Sequence, residues 1–260
     1  MGKRMPVLFV GHGSPMNAIE ENKWSRGFAG IAGMITRPSA ILSVSAHWYV
    51  AGTWTTSNES PKTIHDFGGF PDELYAVEYP ASGEPALAVR VAEMLVKYKA
   101  STSIEWGLDH GTWSVLRRIY PKADIPVIQL SIDHRKNPGE HLEIGKALVS
   151  LRDEGVLILG SGNIVHNLGY AMQAMYSGDL TTPDWSSSFD ARVAEAVSGH
   201  DADTLVSLPG TRDGKMAHPT LDHYLPLLYA AGASNPGEAV HFPITGFDLG
   251  SLSMRSVLIG

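Results

Sequence analysis

Runs of apolar, β-branched residues recur along the chain at intervals that leave room for helices between them. Val7-Leu8-Phe9-Val10, Ile41-Leu42-Ser43-Val44 and Val156-Leu157-Ile158-Leu159 are short and nearly unbroken. Such runs fit strands buried on both faces. The pattern predicts strands over 5–10, 40–46, 53–57, 102–106, 125–132, 155–160, 239–245 and 253–259. Helical periodicity is clearest over 84–98, where Leu87, Val91, Met94, Leu95 and Tyr98 fall on one face. Further helices are predicted near 22–35, 113–120, 139–152, 186–199 and 221–231. Alternating strands and helices imply an α/β fold, a single domain over 1–260. Its central sheet is expected to be mainly parallel or mixed, flanked by helices on both faces.

Two Gly/Pro-rich stretches, Ser57 to Pro85 and Ser207 to Pro219, interrupt this alternation. Long loops in a compact domain tend to carry function. The first holds His65, Asp66, Phe67, Gly68, Gly69 and Phe70, and the second leads into His218 and His223.

Composition narrows the classes. The 260 residues are 43% hydrophobic, enough for one sizeable core. No apolar run reaches the roughly 18 residues of a membrane span. The N-terminus lacks the long apolar region of a secretion signal, so a cytoplasmic protein is expected. Cys is absent, which removes thiolate metal sites and disulfides. A formal net charge of −7 argues against a general nucleic-acid partner. Nothing in the pattern sets an oligomeric state.

The candidate chemistry lies in the histidines. His12, His47, His110 and His166 each follow a strand-like run. In open α/β sheets the ligand crevice lies beyond the carboxyl ends of the strands, and neutral imidazole is the commonest metal-binding side chain. Taken alone, His12 reads equally as a solvent-facing turn residue, and His47 as a core histidine. Asp222 is a candidate N-cap that would place His223 at a helix start. Asp109, adjacent to His110, need not orient it, because neighbouring side chains seldom pair well. His134, His141, His200 and His241 read as structural or surface residues, the first three in polar, exposed surroundings. Trp48, Trp113, Phe70 and Tyr224 lie close in sequence to the histidines and read first as core, second as walls for an aromatic ligand. Gly160-Ser161-Gly162-Asn163 lacks both the full dinucleotide fingerprint and the Lys-Ser/Thr of a P-loop, and no HExxH or GxSxG motif is present.

Five segments occur in order: Gly11-His12-Gly13-Ser14-Pro15, Ser45-Ala46-His47-Trp48, Gly107-Leu108-Asp109-His110-Gly111, Gly160-Ser161-Gly162-Asn163-Ile164-Val165-His166 and His218-Pro219-Thr220-Leu221-Asp222-His223. Together they resemble the class III (LigB-type) extradiol ring-opening dioxygenases, closest to the DOPA 4,5-dioxygenase branch. The resemblance implies cleavage of a catechol by O2 at a mononuclear non-haem metal. It implies His12, His47 and His223 as metal ligands, His166 as the acid–base histidine counted also among the metal-site residues, and His110 as a second catalytic histidine contacting substrate or oxygen. His223 stands where protocatechuate-type members carry a carboxylate. Nitrogen-rich sites favour Zn(II) over Fe(II) in the usual affinity order. Zn(II) is therefore expected in the isolated protein, and Fe(II) in the working enzyme. Two other readings stay open, a zinc-dependent hydrolase and a non-catalytic metal-binding or signalling protein on the same fold. Dependence on O2 separates the hydrolase from the dioxygenase, and His166 and His110, which a purely structural metal site would not need, argue for catalysis.

Overall fold

The computed structural model describes residues 4–260. Its strands are β1 (Val7–Gly11), β2 (Ala40–Val50), β3 (Trp54–Thr56), β4 (Ser101–Ser103), β5 (Val127–Asp133), β6 (Val156–Gly162), β7 (Val240–His241), β8 (Phe247–Asp248), β9 (Leu252–Ser253) and β10 (Val257–Ile259). Its α-helices are α1 (Lys23–Ile31), α2 (Asp72–Tyr75), α3 (Pro85–Met94), α4 (His110–Ile119), α5 (Pro138–Ala147), α6 (Leu168–Ser177), α7 (Asp184–Ser198), α8 (Ala202–Ser207), α9 (Arg212–Ala217) and α10 (Leu225–Gly232).

Eight strands form one sheet in the order β4-β3-β5-β2-β6-β1-β10-β7. The central four, β5-β2-β6-β1, run parallel. Antiparallel pairings flank them, β3 on β5 at one side and β10 on β1 at the other, so the sheet is mixed. The short strands β8 and β9 pair with each other apart from it.

Successive side chains of a strand point to opposite faces, and here both faces are covered. Val7 and Phe9 of β1, Leu42 and Val44 of β2, Leu130 of β5 and Ile158 of β6 join one cluster with α3, α5, α7 and α10. Leu8, Val10, Ile41, Val127, Leu157 and Leu159 join a second with Trp24 and Phe28 of α1 and Trp113 and Leu116 of α4. Burial on both sides explains why these strands read as unbroken apolar runs. Each large side chain so buried contributes roughly 1.5–3 kcal/mol.

Departures from the expected elements have local causes. The strand expected over 239–245 stops at His241, where Pro243 lacks the N–H to continue a ladder. The strand expected over 253–259 splits, because Met254 and Ser256 donate to Gly246 and Ile244 instead. Helix α6 was not foreseen; its apolar residues Leu168, Met175 and Tyr176 are exposed, so they draw no buried stripe. The helix expected over 221–231 begins only at Leu225, and Asp222 does not cap it. His141, expected in exposed surroundings, is fully buried beside the Tyr229 hydroxyl, 2.9 Å from its Nδ1. Trp48, Trp113 and Tyr224 are core residues, whereas Phe70 is half-buried against the second cluster.

Gly162 closes β6 where the segment carrying His223 crosses it. Asn163 donates its N–H to the His223 carbonyl at 2.9 Å, and a Cβ on Gly162 would collide with that same carbonyl oxygen. Gly162→Ala should therefore cost about 1–3 kcal/mol through a forced backbone shift and weaken metal retention. Gly30→Ala, in open space on α1, should be neutral or gain up to about 1 kcal/mol. Urea unfolding and metal titration of the two variants check this. Equal behaviour would mean that the crossing tolerates a side chain.

Candidate metal centre

His12 directly follows β1, with its N–H bonded to the Gly162 carbonyl at the end of β6. His47 lies inside β2, which runs on to Val50, and not beyond its end. Pairing of β2 with β5 shifts register between Val44 and Tyr49. Irregularities of this kind re-aim side chains. His110 is the first residue of α4, so the edge strand β4 does not carry it. His166 lies between β6 and α6, and His223 in the turn before α10. All five thus arrive near one end of the parallel strands, the crevice that such sheets provide.

The rings of His12, His47 and His223 form an almost equal triangle. Their centroids are 5.1 Å (His12–His47), 5.2 Å (His12–His223) and 5.1 Å (His47–His223) apart. His166 stacks on His223 at 3.5 Å with planes 2° apart. His110 lies 3.8 Å from His47 and 5.9 Å from His12, ring to ring. Measured by ring nitrogens, His12, His47 and His110 fall within 4.8 Å of one another, enough to hold a metal ion. Nitrogen spacing thus favours His110 as the third member, while the ring triangle favours His223.

Acceptors behind each Nδ1 bear on which nitrogen each ring offers. The Ser161 hydroxyl donates its single proton to the Gly111 carbonyl at 2.5 Å. Its oxygen therefore accepts from His12 Nδ1, 2.9 Å away, and His12 Nε2 carries the lone pair. Asp222 Oδ2 contacts His223 Nδ1, which leaves Nε2 as the free nitrogen there too. Asp66 Oδ2 faces His47 Nδ1 at 3.2 Å. The Nε2 atoms of His12 and His47 meet at 3.3 Å. Two lone pairs facing each other at that distance repel unless a cation lies between them.

Protons do not fill that role at neutral pH. Burial, then the neighbouring His47, holds His12 well below the ordinary imidazole value. Burial, then His110, lowers His47 to about 3. Burial, then His166, also holds His223 well below it. A buried set of neutral imidazole nitrogens, each backed on its far side by an acceptor, suits a divalent metal ion.

Several supporting groups escaped sequence reasoning. Asp66, in the long loop, contacts both His47 and His110. Burial would raise its carboxyl, but His110 and then His47 outweigh that and hold it down at about 2. Asp109 does not orient the His110 ring; it caps α4 through Thr112 N–H at 3.2 Å and accepts from Gln129 Nε2 at 2.7 Å. Phe67 stands edge-on to His110, 5.4 Å between centroids. His218 stays outside the site, buried with Nε2 2.6 Å from the Ile164 carbonyl. The glycine before His12 serves packing rather than ligand access: a Cβ on Gly11 would lie 2.7 Å from the Ser253 carbonyl oxygen.

A profile of the family described as the catalytic LigB subunit of aromatic ring-opening dioxygenase matches residues 6–245. The chain belongs to this family, the extradiol ring-opening dioxygenases. It is 46% identical over 261 residues to a 4,5-DOPA dioxygenase extradiol of Escherichia coli (strain K12), covering 99% of this chain and 95% of that protein. A 4,5-DOPA dioxygenase extradiol of Beta vulgaris is 35% identical over 257 residues, 96% of this chain and 94% of the relative. The crystal structure of an uncharacterized Escherichia coli K12 protein superposes with a TM-score of 0.86 at 42% identity, covering 99% of this chain and 100% of that one.

Acid should expose the cost of these neutral histidines. Burial is the main cause that holds His141, His166 and His218 at about 4. Because free imidazole titrates near 6.5, the unfolded chain takes up protons first as pH falls. Their stabilisation is complete above about pH 6.5 and is lost on the way down to pH 4, at roughly 1–2 kcal/mol per histidine between pH 7 and 5. Urea unfolding of metal-free protein at pH 7, 6 and 5 should give steadily lower midpoints. A flat profile would contradict burial in the neutral form.

Proposed function

We propose that the protein opens the aromatic ring of a DOPA-like catechol with O2, using one metal ion held by His12, His47 and His223. The near-equal triangle of these rings, each with Nδ1 occupied by an acceptor, carries the reading. Fe(II) is the working metal, and Zn(II) competes for the same nitrogens during isolation. The catechol character of the substrate rests on the two named relatives and on the aromatic Phe67 beside His110. Among the described residues no helix is long and apolar enough to cross a membrane.

When bound, the metal supplies a Lewis acid that acidifies a catechol hydroxyl and, as Fe(II), the redox capacity that O2 requires. The chain's own residues do the rest. His166 is uncharged at neutral pH, held at about 4 chiefly by burial, so a ring nitrogen is free to take a hydroxyl proton from the catechol and return it later. Its stacking on His223 keeps that nitrogen beside the ligand set. His110, with Nδ1 turned to Asp66, presents Nε2 to substrate or oxygen. Phe67 closes the flank of His110 against water and offers a ring edge to an aromatic substrate. The chemistry breaks the bond between a hydroxylated ring carbon and its unhydroxylated neighbour, and both atoms of O2 enter the product.

A second ligand set, with His110 in place of His223, is favoured by nitrogen spacing. The two sets separate by mutation. His12→Ala, His47→Ala and His223→Ala should each lose the metal. His110→Ala and His166→Ala should keep most of it, while His166→Ala loses about 10²–10⁴-fold in turnover. Protein stripped and reloaded anaerobically with Fe(II) should consume O2 in step with loss of catechol and gain visible absorbance; the zinc form should do neither. Activity that follows zinc and persists without O2 would replace this reading with a hydrolase, and metal binding without turnover of any catechol would favour a binding or signalling role.

A further inference from the structure

Asp66 touches two histidines that the proposed reaction uses differently. Its Oδ2 lies 3.2 Å from His47 Nδ1, and its Oδ1 lies 3.0 Å from His110 Nδ1. The same Oδ1 accepts the backbone N–H of His110 at 2.9 Å. His110 Nδ1 is buried and has no hydrogen bond of its own in good geometry, so this carboxylate oxygen is the polar group it faces. We propose that Asp66 is a shared positioning residue, one carboxylate that sets the tautomer of both His47 and His110 and so turns both Nε2 atoms into the site.

An ionised carboxylate only accepts hydrogen bonds. An imidazole lone pair pointed at it from about 3 Å would meet another lone pair, so the proton sits on Nδ1 in both rings. Each ring then has its lone pair on Nε2. For His47 that nitrogen lies 3.3 Å from His12 Nε2, where the metal is proposed to bind. For His110 it is the nitrogen left for substrate or oxygen. Carboxylates behind metal-bound histidines commonly act this way. Here a single carboxylate serves a ligand and a catalytic histidine together, across a loop that enters the site only in the folded chain. This assignment rests on the proposed dioxygenase reading for the roles of the two rings, but not for their tautomers.

The contacts make the outcome of Asp66→Asn specific. The His110 backbone N–H needs an acceptor, so the amide oxygen takes the place of Oδ1. The amide NH2 then takes the place of Oδ2 and donates to His47 Nδ1. The His47 proton moves to Nε2, where it points at His12 Nε2 and forms a hydrogen bond across the metal position. Metal binding is thereby weakened, while the metal-free site becomes internally satisfied. A residue with a merely structural role would do neither.

The experiment is two-bond ¹H–¹⁵N spectroscopy of the histidine rings in metal-free protein, with Zn(II) and Co(II) titrations and thermal melts. Wild-type protein should have His47 and His110 protonated on Nδ1. In Asp66→Asn, His47 should switch to the Nε2–H form while His110 does not. Metal affinity should fall about 10–100-fold, and the metal-free melting temperature should stay level or rise. If wild-type His47 already carries its proton on Nε2, the proposal is overturned without recourse to any variant. Unchanged tautomers and unchanged metal affinity in Asp66→Asn would also overturn it. The tautomer and metal readouts need no turnover. Failure to consume O2 in the wild-type iron form would remove the dioxygenase reading and leave this assignment standing.

Discussion

The site depends on the close approach of His12 Nε2 and His47 Nε2, 3.3 Å apart, where two lone pairs face each other if both rings carry their protons on Nδ1 as proposed. Left alone, His47 could escape the repulsion by moving its proton to Nε2, and either ring could rotate away. Backing groups on the opposite nitrogens remove those escapes. Ser161 can only accept from His12, because its one proton is spent on Gly111. Asp66 and Asp222 can only accept from His47 and His223. Burial keeps protons off His12 and His47. What remains is a set of neutral nitrogens arranged for a cation.

The sheet brings these groups together. Parallel strands β1 and β6 end side by side while β2 runs on past them, so the residues at this edge share one rim. His12 follows β1, Ser161 ends on β6, and His47 is re-aimed by the irregularity in β2. Close backbone contact does the remainder: Gly162 lets the His223 segment lie directly against the end of β6. Both sheet faces are packed, which holds the rim rigid enough for ring spacings near 5 Å to be maintained.

The proposed centre of His12, His47 and His223 would depart from the two-histidine, one-carboxylate arrangement of many non-haem iron enzymes. Three neutral ligands would leave the full charge of a metal for the substrate, with the carboxylates Asp66 and Asp222 one layer outward behind the rings. Negative charge would then reach the metal through the imidazoles rather than by direct coordination. That arrangement orients the ligands and leaves the choice between zinc and iron to supply and redox chemistry.

Much of this was legible in the sequence. The central strands β1, β2, β5 and β6 announce themselves as apolar runs, because a strand covered on both sides has no polar alternation to blur it. His12, His47 and His166 were identifiable from their positions after those runs, and His110 and His223 from the five ordered segments that resemble the family. Exposed helix α6 has no buried stripe to announce it, and the strand expected over 239–245 shrinks to β7 because Pro243 cuts it short. Neighbour reasoning held for Asp109, which caps α4 rather than pairing with His110, and failed for Asp222, which partners His223 instead of capping a helix. Asp66 lay in a loop marked as functional, but nothing local pointed to its partners, His47 being 19 residues away and His110 44. Which histidines gather at the sheet rim follows from side-chain type and chain position, and the sequence alone indicated it. Which nitrogen of each ring faces the metal, and which acid stands behind it, depends on contacts between segments far apart in sequence, and only the tertiary structure decided that.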